Sequence, residues 1–193
     1  MSKDSTENKN TSPLWKVMIE TNPQNIYGIA DGAASNYIHA HLIAHGVPHL
    51  ALYKDESLPK EQSPYVFPLS QNEVFSEWFL QESKNKNWGI LVQSHLPLAE
   101  LLEPLKHHFT VQDEQGHLHL IRYYDPRVTR SYLSALTQTQ AEGFFKSVSS
   151  VWSETLGLTE SITHHCMKEG KYSTEIIGIP QKSESLPDKE DVS

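Results

Sequence analysis

The sequence predicts an α/β fold with a mostly parallel central sheet flanked by helices, an antiparallel hairpin and a helical/β C-terminal subdomain. First, a short apolar run, a helical pattern and a second apolar run follow one another between Ile26 and Tyr53. A strand, helix and strand in so few residues favour a right-handed crossover with parallel strands. Second, residues 109–112 and 118–124 flank a polar, glycine-containing turn, which is typical of a hairpin. Third, two consecutive helical patterns after Asp125 end the alternation of strands and helices.

The chain divides into four predicted segments. Residues 1–12 and 181–193 are polar and contain no aromatic residue. We expect both to be disordered tails, because they cannot bury enough surface to offset the entropy lost on ordering. Residues 13–136 form the predicted α/β domain, and residues 137–180 form the predicted C-terminal helical/β subdomain packed on it.

The first part of the predicted domain contains the strand–helix–strand unit. Residues 15–19 fit either an edge strand or a short helix, and the sequence leaves both open. Residues 26–31 are a short apolar run that ends before a glycine, which predicts a buried strand. Apolar residues recur at helical spacing through residues 33–46, where a glycine predicts the end of the helix. Residues 47–53 are the second predicted strand.

The middle of the chain is predicted to hold the centre of the sheet. Residues 58–68 contain three prolines, which indicates a loop with an edge strand because proline cannot donate to a ladder. Ser70 is the predicted cap of a helix that carries an aromatic-rich stripe through Gln81. Residues 88–94 are apolar enough for a central strand, and Pro97 begins the next predicted helix.

A strand-to-helix corner is predicted where the hairpin ends. Asp125 is a good helix N-cap, and Pro126 suits the first helical position, where its missing N–H costs nothing. Arg122, Asp125 and Arg127 are thereby gathered at one corner. In one interpretation an arginine pairs with Asp125 as a structural clamp; in the other, the arginines form a binding edge of the kind enriched at protein interfaces.

The C-terminal part begins with a second helix capped by Thr137 or Thr139. The residues after it alternate loosely between apolar and polar, which predicts a late strand or hairpin with the turn at residues 168–171. Cys166 is the single cysteine of the chain, so it cannot form an intramolecular disulfide, and a buried thiol is the expected state.

The charge and hydropathy of the chain exclude several classes of partner. With 16 Lys and Arg against 24 Asp and Glu, the formal net charge is −8. This charge opposes binding to nucleic acid or to anionic membranes. No apolar run approaches the roughly 20 residues that cross a bilayer, so membrane insertion is not expected. The N-terminal residues show no secretory-signal pattern, and we therefore expect a cytoplasmic location.

Two features of the sequence invite an enzymatic interpretation. His41 and His45 are four residues apart on a predicted helix, as two zinc ligands can be, with two more histidines at positions 39 and 49. A third ligand is missing. Asp31 follows a strand and precedes a helix, where a phosphate could bind, but its carboxylate would repel phosphate and is better explained as a cap. A small metal- or phosphate-dependent enzyme that uses Asp31, His41, His45, Arg122 and Arg127 is the alternative hypothesis.

Three motifs of the chain resemble a known family. They are YGIADGA, the long segment WGILVQSHLPLAELLEPLKHHFTVQDEQGHLHLIRYYDPRV and the helical QAEGFF. In order and spacing they resemble the effector chaperone or adaptor proteins of bacterial type VI secretion, called Tap or Tec. The resemblance extends from about Tyr27 to Trp152. The motif reads IRYYDPR here, with Ile121 at a position where an aromatic residue is common.

The resemblance implies a function in partner binding and no catalysis. Members of this family bind one cognate toxin effector in the cytoplasm and help to load it onto the VgrG spike protein, without being secreted and without a cofactor. Binding would shield apolar effector surface by mass action. The residues that the resemblance assigns to the family motif or the partner-binding site are Tyr27, Asp31, Gly32, Trp88, Gly89, Arg122, Tyr124, Asp125, Pro126 and Arg127.

Overall fold

The computed structural model describes residues 12–53, 59–155, 157–158 and 160–180. The six α-helices in this part of the chain are α1 (Pro13–Thr21), α2 (Asn36–Ala44), α3 (Val74–Glu82), α4 (Leu98–Lys106), α5 (Pro126–Ala135) and α6 (Gln138–Ser147). The strands are β1 (Asn25–Asp31), β2 (Leu50–Ala51), β3 (Pro64–Leu69), β4 (Gly89–Ser94), β5 (Thr110–Gln112), β6 (Leu118–Leu120), β7 (Ser150–Glu154), β8 (Ser161–Lys168) and β9 (Lys171–Gly178). No helix in the described ranges is both long and apolar enough to cross a membrane.

The central sheet is antiparallel, and the predicted mostly parallel sheet is wrong. Seven strands follow the order β2-β3-β1-β4-β7-β8-β9, and each described pair is antiparallel. As predicted, α2 connects β1 to a further strand, β2. In the sheet, however, β3 lies between β1 and β2, so these two strands do not pair with each other. The apolar run of β1 does not distinguish the two arrangements, because any strand covered on both faces reads as a continuous apolar run.

Strand β3 is an interior strand, which corrects the prediction of an edge strand in residues 58–68. It pairs with β1 along its whole length and with β2 on its other side. The two residues of β2 pair only with Tyr65 and Val66, so Pro64 and Pro68 lie beyond that second ladder. The short β2 therefore leaves room for prolines that a full central strand would exclude.

Helices cover both faces of the sheet. Apolar residues of α1, α2 and α3 pack on one face, around Trp15, Phe67 and Trp152. Apolar residues of α4, α5 and α6 pack on the other face, around Val92 and Tyr123. The result is a three-layer arrangement whose sheet continues from β4 to β7, across the boundary predicted between residues 136 and 137. That division into subdomains stays a prediction.

Local signals in the sequence agree with the helix ends in most places. Residues 15–19 lie in α1, which decides between the two open interpretations. Thr137 caps α6 with a complete capping box, as one of the two predicted alternatives. Ser70 does not cap α3. Instead, the Glu73 side chain accepts hydrogen bonds from the backbone N–H groups of Phe75 and Ser76.

Both predicted hairpins are confirmed. β5 and β6 form a separate two-stranded sheet, in which β6 ends at Leu120 and the N–H of Ile121 adds one further hydrogen bond, to the carbonyl oxygen of Phe109. β8 and β9 are joined by the two-residue turn Glu169–Gly170, whose φ angles are 50° and 73°. Positive φ at both central positions is typical of the tight turns that match the twist of a hairpin.

Candidate functional site

Asp31 and Arg122 form the first ion pair of the candidate site. Asp31 ends β1, and its Oδ1 accepts a hydrogen bond from the backbone N–H of Ala33 at 3.0 Å, which caps the short turn that follows. Its Oδ2 lies 3.2 Å from Nη1 of Arg122. The arginine side chain is 64% exposed, whereas the aspartate side chain is 15% exposed. The aspartate thus holds a mostly exposed guanidinium in place.

Asp125 and Arg127 form the second ion pair. The backbone N–H of Arg127 donates to Oδ1 of Asp125 at 2.9 Å, so Asp125 caps α5 as the sequence predicts. The guanidinium of Arg127 also donates through Nε to Oδ1 at 2.9 Å and through Nη2 to Oδ2 at 2.6 Å. These hydrogen bonds lower the pKa of the Asp125 carboxyl group below its usual range. The pair is bidentate, which fixes the plane of the guanidinium.

The two ion pairs line one shallow polar depression of about 280 Å³. The other residues that line it are Ala33, Ala34, Lys86 and Asn87. A guanidinium has five N–H donors. The hydrogen bonds to Asp31 and Asp125 leave several of these donors on each arginine turned toward solvent. The depression therefore offers oriented cationic donors to a partner.

Two glycines of the family motifs allow backbones to approach closely beneath this site. A Cβ atom on Gly89 would lie 1.9 Å from the carbonyl oxygen of Ile29, in the neighbouring strand β1. A Cβ atom on Gly32 would lie 2.3 Å from the carbonyl oxygen of Glu61. Both distances are far shorter than a non-bonded contact allows. These glycines position the end of β1 and therefore Asp31.

The aromatic motif residues are buried and support the fold. The hydroxyl of Tyr27 donates to the carbonyl oxygen of Leu96 at 2.8 Å. Trp88 packs beside Trp78, with ring centroids 5.7 Å apart. Tyr124 is buried, and burial raises the pKa of its hydroxyl. Pro126 is also buried, at the first position of α5. Of the ten residues that the resemblance assigns, these four stabilise the site from within the core.

Two exposed leucines lie on the strand that leads to the corner. Leu118 is 72% exposed and Leu120 is 57% exposed, both in β6. Residues two apart on a strand point to the same side, so the two leucines share one side of the hairpin, and Arg122 follows two residues after the end of β6. We define the hairpin–corner surface as Leu118, Leu120, Arg122 and Arg127. It combines apolar area with the oriented guanidinium groups.

The turn of the same hairpin is held by one carboxylate. Oδ1 of Asp113 accepts hydrogen bonds from the backbone N–H groups of Gln115 and His117. Its Oδ2 lies 3.2 Å from Nδ1 of His117 and 2.8 Å from Nε2 of His119. The hydrogen bond with His119 is the main cause of the lowered pKa of Asp113. The two histidines therefore brace the turn that presents the leucines.

The histidines of the enzymatic alternative contact aromatic residues and lie apart from the arginine corner. His41 stacks on Trp78 with ring centroids 3.8 Å apart, and the His45 ring lies 5.6 Å from that of His41. His39 stacks on Tyr65. Asp31 contacts Arg122 instead. In the described part of the chain, no group of three or more His, Cys, Asp or Glu residues is arranged to hold a metal ion.

The structure also contains a hydrogen-bonded chain that the sequence did not reveal. Nε2 of His164 lies 3.0 Å from the Ser150 hydroxyl, and Nδ1 of the same ring lies 3.1 Å from Oε1 of Glu175. Serine, histidine and carboxylate in this order can activate a nucleophile. Ser150 is only 2% exposed, however, and lines none of the three cavities described for this protein. No sequence motif marks these residues, because three separate strands bring them together.

The largest of these cavities is an apolar groove of about 960 Å³ beside β2. Phe109 and Thr110, at the start of the hairpin, are among the residues that line this groove. None of the ten residues assigned by the resemblance lines it. Its size alone does not connect it to the motifs, and the arginine corner remains the candidate site.

The fold is an antiparallel α/β/α domain in which buried motif aromatics lie beneath an arginine corner with two ion pairs. A family model described as "Domain of unknown function (DUF4123)" matches residues 26–143, more than half of the 193-residue chain. The chain belongs to this family, which is associated with effector adaptors of type VI secretion. All ten assigned residues lie inside the matched range. No curated protein and no solved structure matches the chain.

Proposed function

We propose that this protein is a cytoplasmic adaptor that binds one cognate type VI secretion effector and helps to load it onto the VgrG spike. The observation that carries this proposal is the family match, which covers the first two motifs and the first four residues of the third. In this proposal the protein acts by binding alone, without catalysis and without a cofactor. Its net charge of −8 keeps the free adaptor soluble while it displays an apolar contact surface.

The hairpin–corner surface is the proposed contact with the effector. Its two leucines expose apolar surface to water. A partner that covers this surface removes it from water, which favours binding. Arg122 and Arg127 are already oriented by Asp31 and Asp125, so they lose little side-chain entropy on binding. Arginine is one of the residue types enriched among those that dominate binding energy at interfaces.

Binding at this surface would act on the effector by mass action. An adaptor that binds a folded or partly folded effector stabilises that state in proportion to its free concentration relative to Kd. It would also cover apolar effector surface until the effector is passed to the spike. The effector therefore remains competent for delivery without any chemical step.

Co-expression with the toxin encoded beside this gene tests the proposal. Arg127→Glu and Leu120→Asp should each reduce co-purification of the toxin at least tenfold, with a thermal midpoint close to that of the wild type. Arg130→Glu is the matched control, because Arg130 is an exposed arginine three residues further along α5 and outside the surface. Failure of the wild type to capture the toxin would refute the adaptor function. Equal losses in Arg127→Glu and Arg130→Glu would refute the proposed surface.

A further inference from the structure

In the part of the chain that the structure describes, β9 is a long and regular strand at the outer edge of the sheet. β9 is the last strand in the sheet order and pairs with β8 from Ser161–Gly178 to Lys168–Lys171 without a bulge. Within the described residues, no strand pairs with its other side. It contains no proline, and natural proteins usually protect such edges with prolines, bulges or a short strand length. An edge of this kind is a template for another strand.

The register shows which backbone groups are free on this edge. The N–H of Ile179 donates to the carbonyl oxygen of Glu160 at 2.8 Å, one step beyond the β8–β9 ladder. Hydrogen-bonded pairs alternate along an antiparallel ladder, so the odd-numbered residues of β9 bond to β8. The N–H and C=O groups of Tyr172, Thr174 and Ile176 therefore point outward. Ile176 also has a side chain that is 55% exposed.

We propose that a second copy of this chain occupies the edge, and that the two β9 strands pair antiparallel about a two-fold axis at Thr174. Thr174 then faces Thr174 of the second copy, and Tyr172 faces Ile176 of the second copy on both sides of the axis. All three outward residues exchange backbone hydrogen bonds in this register. Threonine pairs and aromatic–β-branched pairs are favourable cross-strand neighbours. The exposed Ile176 is covered by a tyrosine in each half of the interface.

Charge argues against one of the two neighbouring registers. In the proposed register, Glu175 faces Ser173 of the second copy, and Lys171 is a diagonal neighbour of Glu175 of the second copy on the same face. A shift of the second copy by two residues would centre the axis on Glu175 and place the two Glu175 carboxylates opposite each other. Like charges directly opposite destabilise a strand pair. In the proposed register, Lys171 and Glu175 are neighbours and no two like charges face each other across the two β9 strands.

The region that carries this edge lies outside the family match. The matched range ends at residue 143, in α6, whereas β9 is Lys171–Gly178. The hairpin–corner surface lies within the match. Pairing through β9 would therefore join two adaptors into one continuous sheet and leave each effector surface in place. This inference does not depend on the proposed function.

Analytical ultracentrifugation of the full chain over a range of concentrations tests the pairing. We expect a reversible dimer for the wild type and a monomer for Thr174→Pro. The proline removes an outward N–H and leaves the β8 ladder intact. Ile176→Lys should also be monomeric, and circular dichroism should confirm that both variants are folded. Ile43→Lys is the matched control, because Ile43 is a 60% exposed isoleucine on α2, and this variant should remain dimeric.

Disulfide formation tests the register independently. Facing Cα atoms of a hydrogen-bonded pair lie about 5.5 Å apart, within the range that a disulfide spans. Thr174→Cys should therefore form a covalent dimer on mild oxidation, and Glu175→Cys should form much less. A wild type that is monomeric at every concentration would overturn the proposal. So would a dimeric Thr174→Pro, or loss of toxin capture in Thr174→Pro without any change in oligomeric state, which would assign the edge to the effector.

Discussion

Arg122 and Asp31 form an ion pair of 3.2 Å between residues that lie 91 positions apart in the sequence. The pair connects the end of β1 to the segment between the hairpin and α5. The arginine corner is therefore assembled from two distant parts of the chain. Arg127 pairs with Asp125, which is the local contact that one of the two interpretations of the sequence describes.

A double-mutant cycle on Asp31 and Arg122 should give a small coupling energy. Asp31→Asn keeps an oxygen that can cap the following turn and removes the charge that faces Arg122. Because the arginine side chain is 64% exposed, we expect a coupling energy of no more than about 1 kcal/mol in the free energy of unfolding. Urea denaturation of the wild type, Arg122→Met, Asp31→Asn and the double variant measures it. A coupling above about 2 kcal/mol would instead identify the pair as a main clamp of the fold.

The sequence indicates the contact between Asp125 and Arg127 but not the contact between Asp31 and Arg122, and the reason is physical. Asp125 and Arg127 are two residues apart, so capping and pairing follow from helix geometry alone. The contact between Asp31 and Arg122 exists only once β1 and the hairpin are placed by the whole sheet. The cap of α3 is a similar case. Ser70 and Glu73 both precede the helix, and only the path of the backbone shows that Glu73 is the cap.

The sheet illustrates the same limit on a larger scale. The patterns of β1 and β4 predict buried strands, and the structure confirms both as neighbouring central strands. Strand direction is not encoded in an apolar run when helices cover both faces. β3 lies between β1 and β2 and is antiparallel to both, so the expected parallel crossover does not form. Long-range strand pairing therefore had to come from the structure.

Substitution of Gly89 by alanine should prevent stable folding. The added methyl group would collide with the Ile29 carbonyl oxygen at 1.9 Å, and two neighbouring backbones would have to separate. Gly143→Ala is the matched control, because a Cβ at this helical position meets no atom within 4 Å. This control should stabilise the protein by up to about 1 kcal/mol, as alanine does in helix interiors. Soluble yield and urea midpoints of the two variants measure the difference. A soluble Gly89→Ala with a wild-type midpoint would contradict the close approach seen here.

The buried His165 should make the protein less stable in mild acid. Burial lowers the pKa of His165 to about 4 from an ordinary value near 6.5. Between these two values the unfolded chain binds more protons than the folded chain, so the free energy of unfolding falls as the pH falls from 6.5 to 4. The full loss from this one group is roughly 3 kcal/mol.

Urea midpoints between pH 7.5 and pH 4 measure this effect. His165→Gln removes the titrating group and should give a shallower decline than the wild type. His95→Gln is the control for loss of an exposed imidazole. The same slope in the wild type and in His165→Gln would show that other groups cause the acid sensitivity, among them His164, whose pKa burial also lowers.

The position of β4 in the sheet has a consequence for the order of events during synthesis. β4 is Gly89–Ser94, yet the strand that covers its second edge is β7, Ser150–Glu154. The ribosome makes the whole arginine corner before it makes β7. A nascent chain can therefore complete its hairpin and corner while the edge of β4 is still open, and such open edges promote mispairing with other chains. β7 covers this edge of β4 only after these later residues are made, and β8 and β9 then extend the sheet from β7.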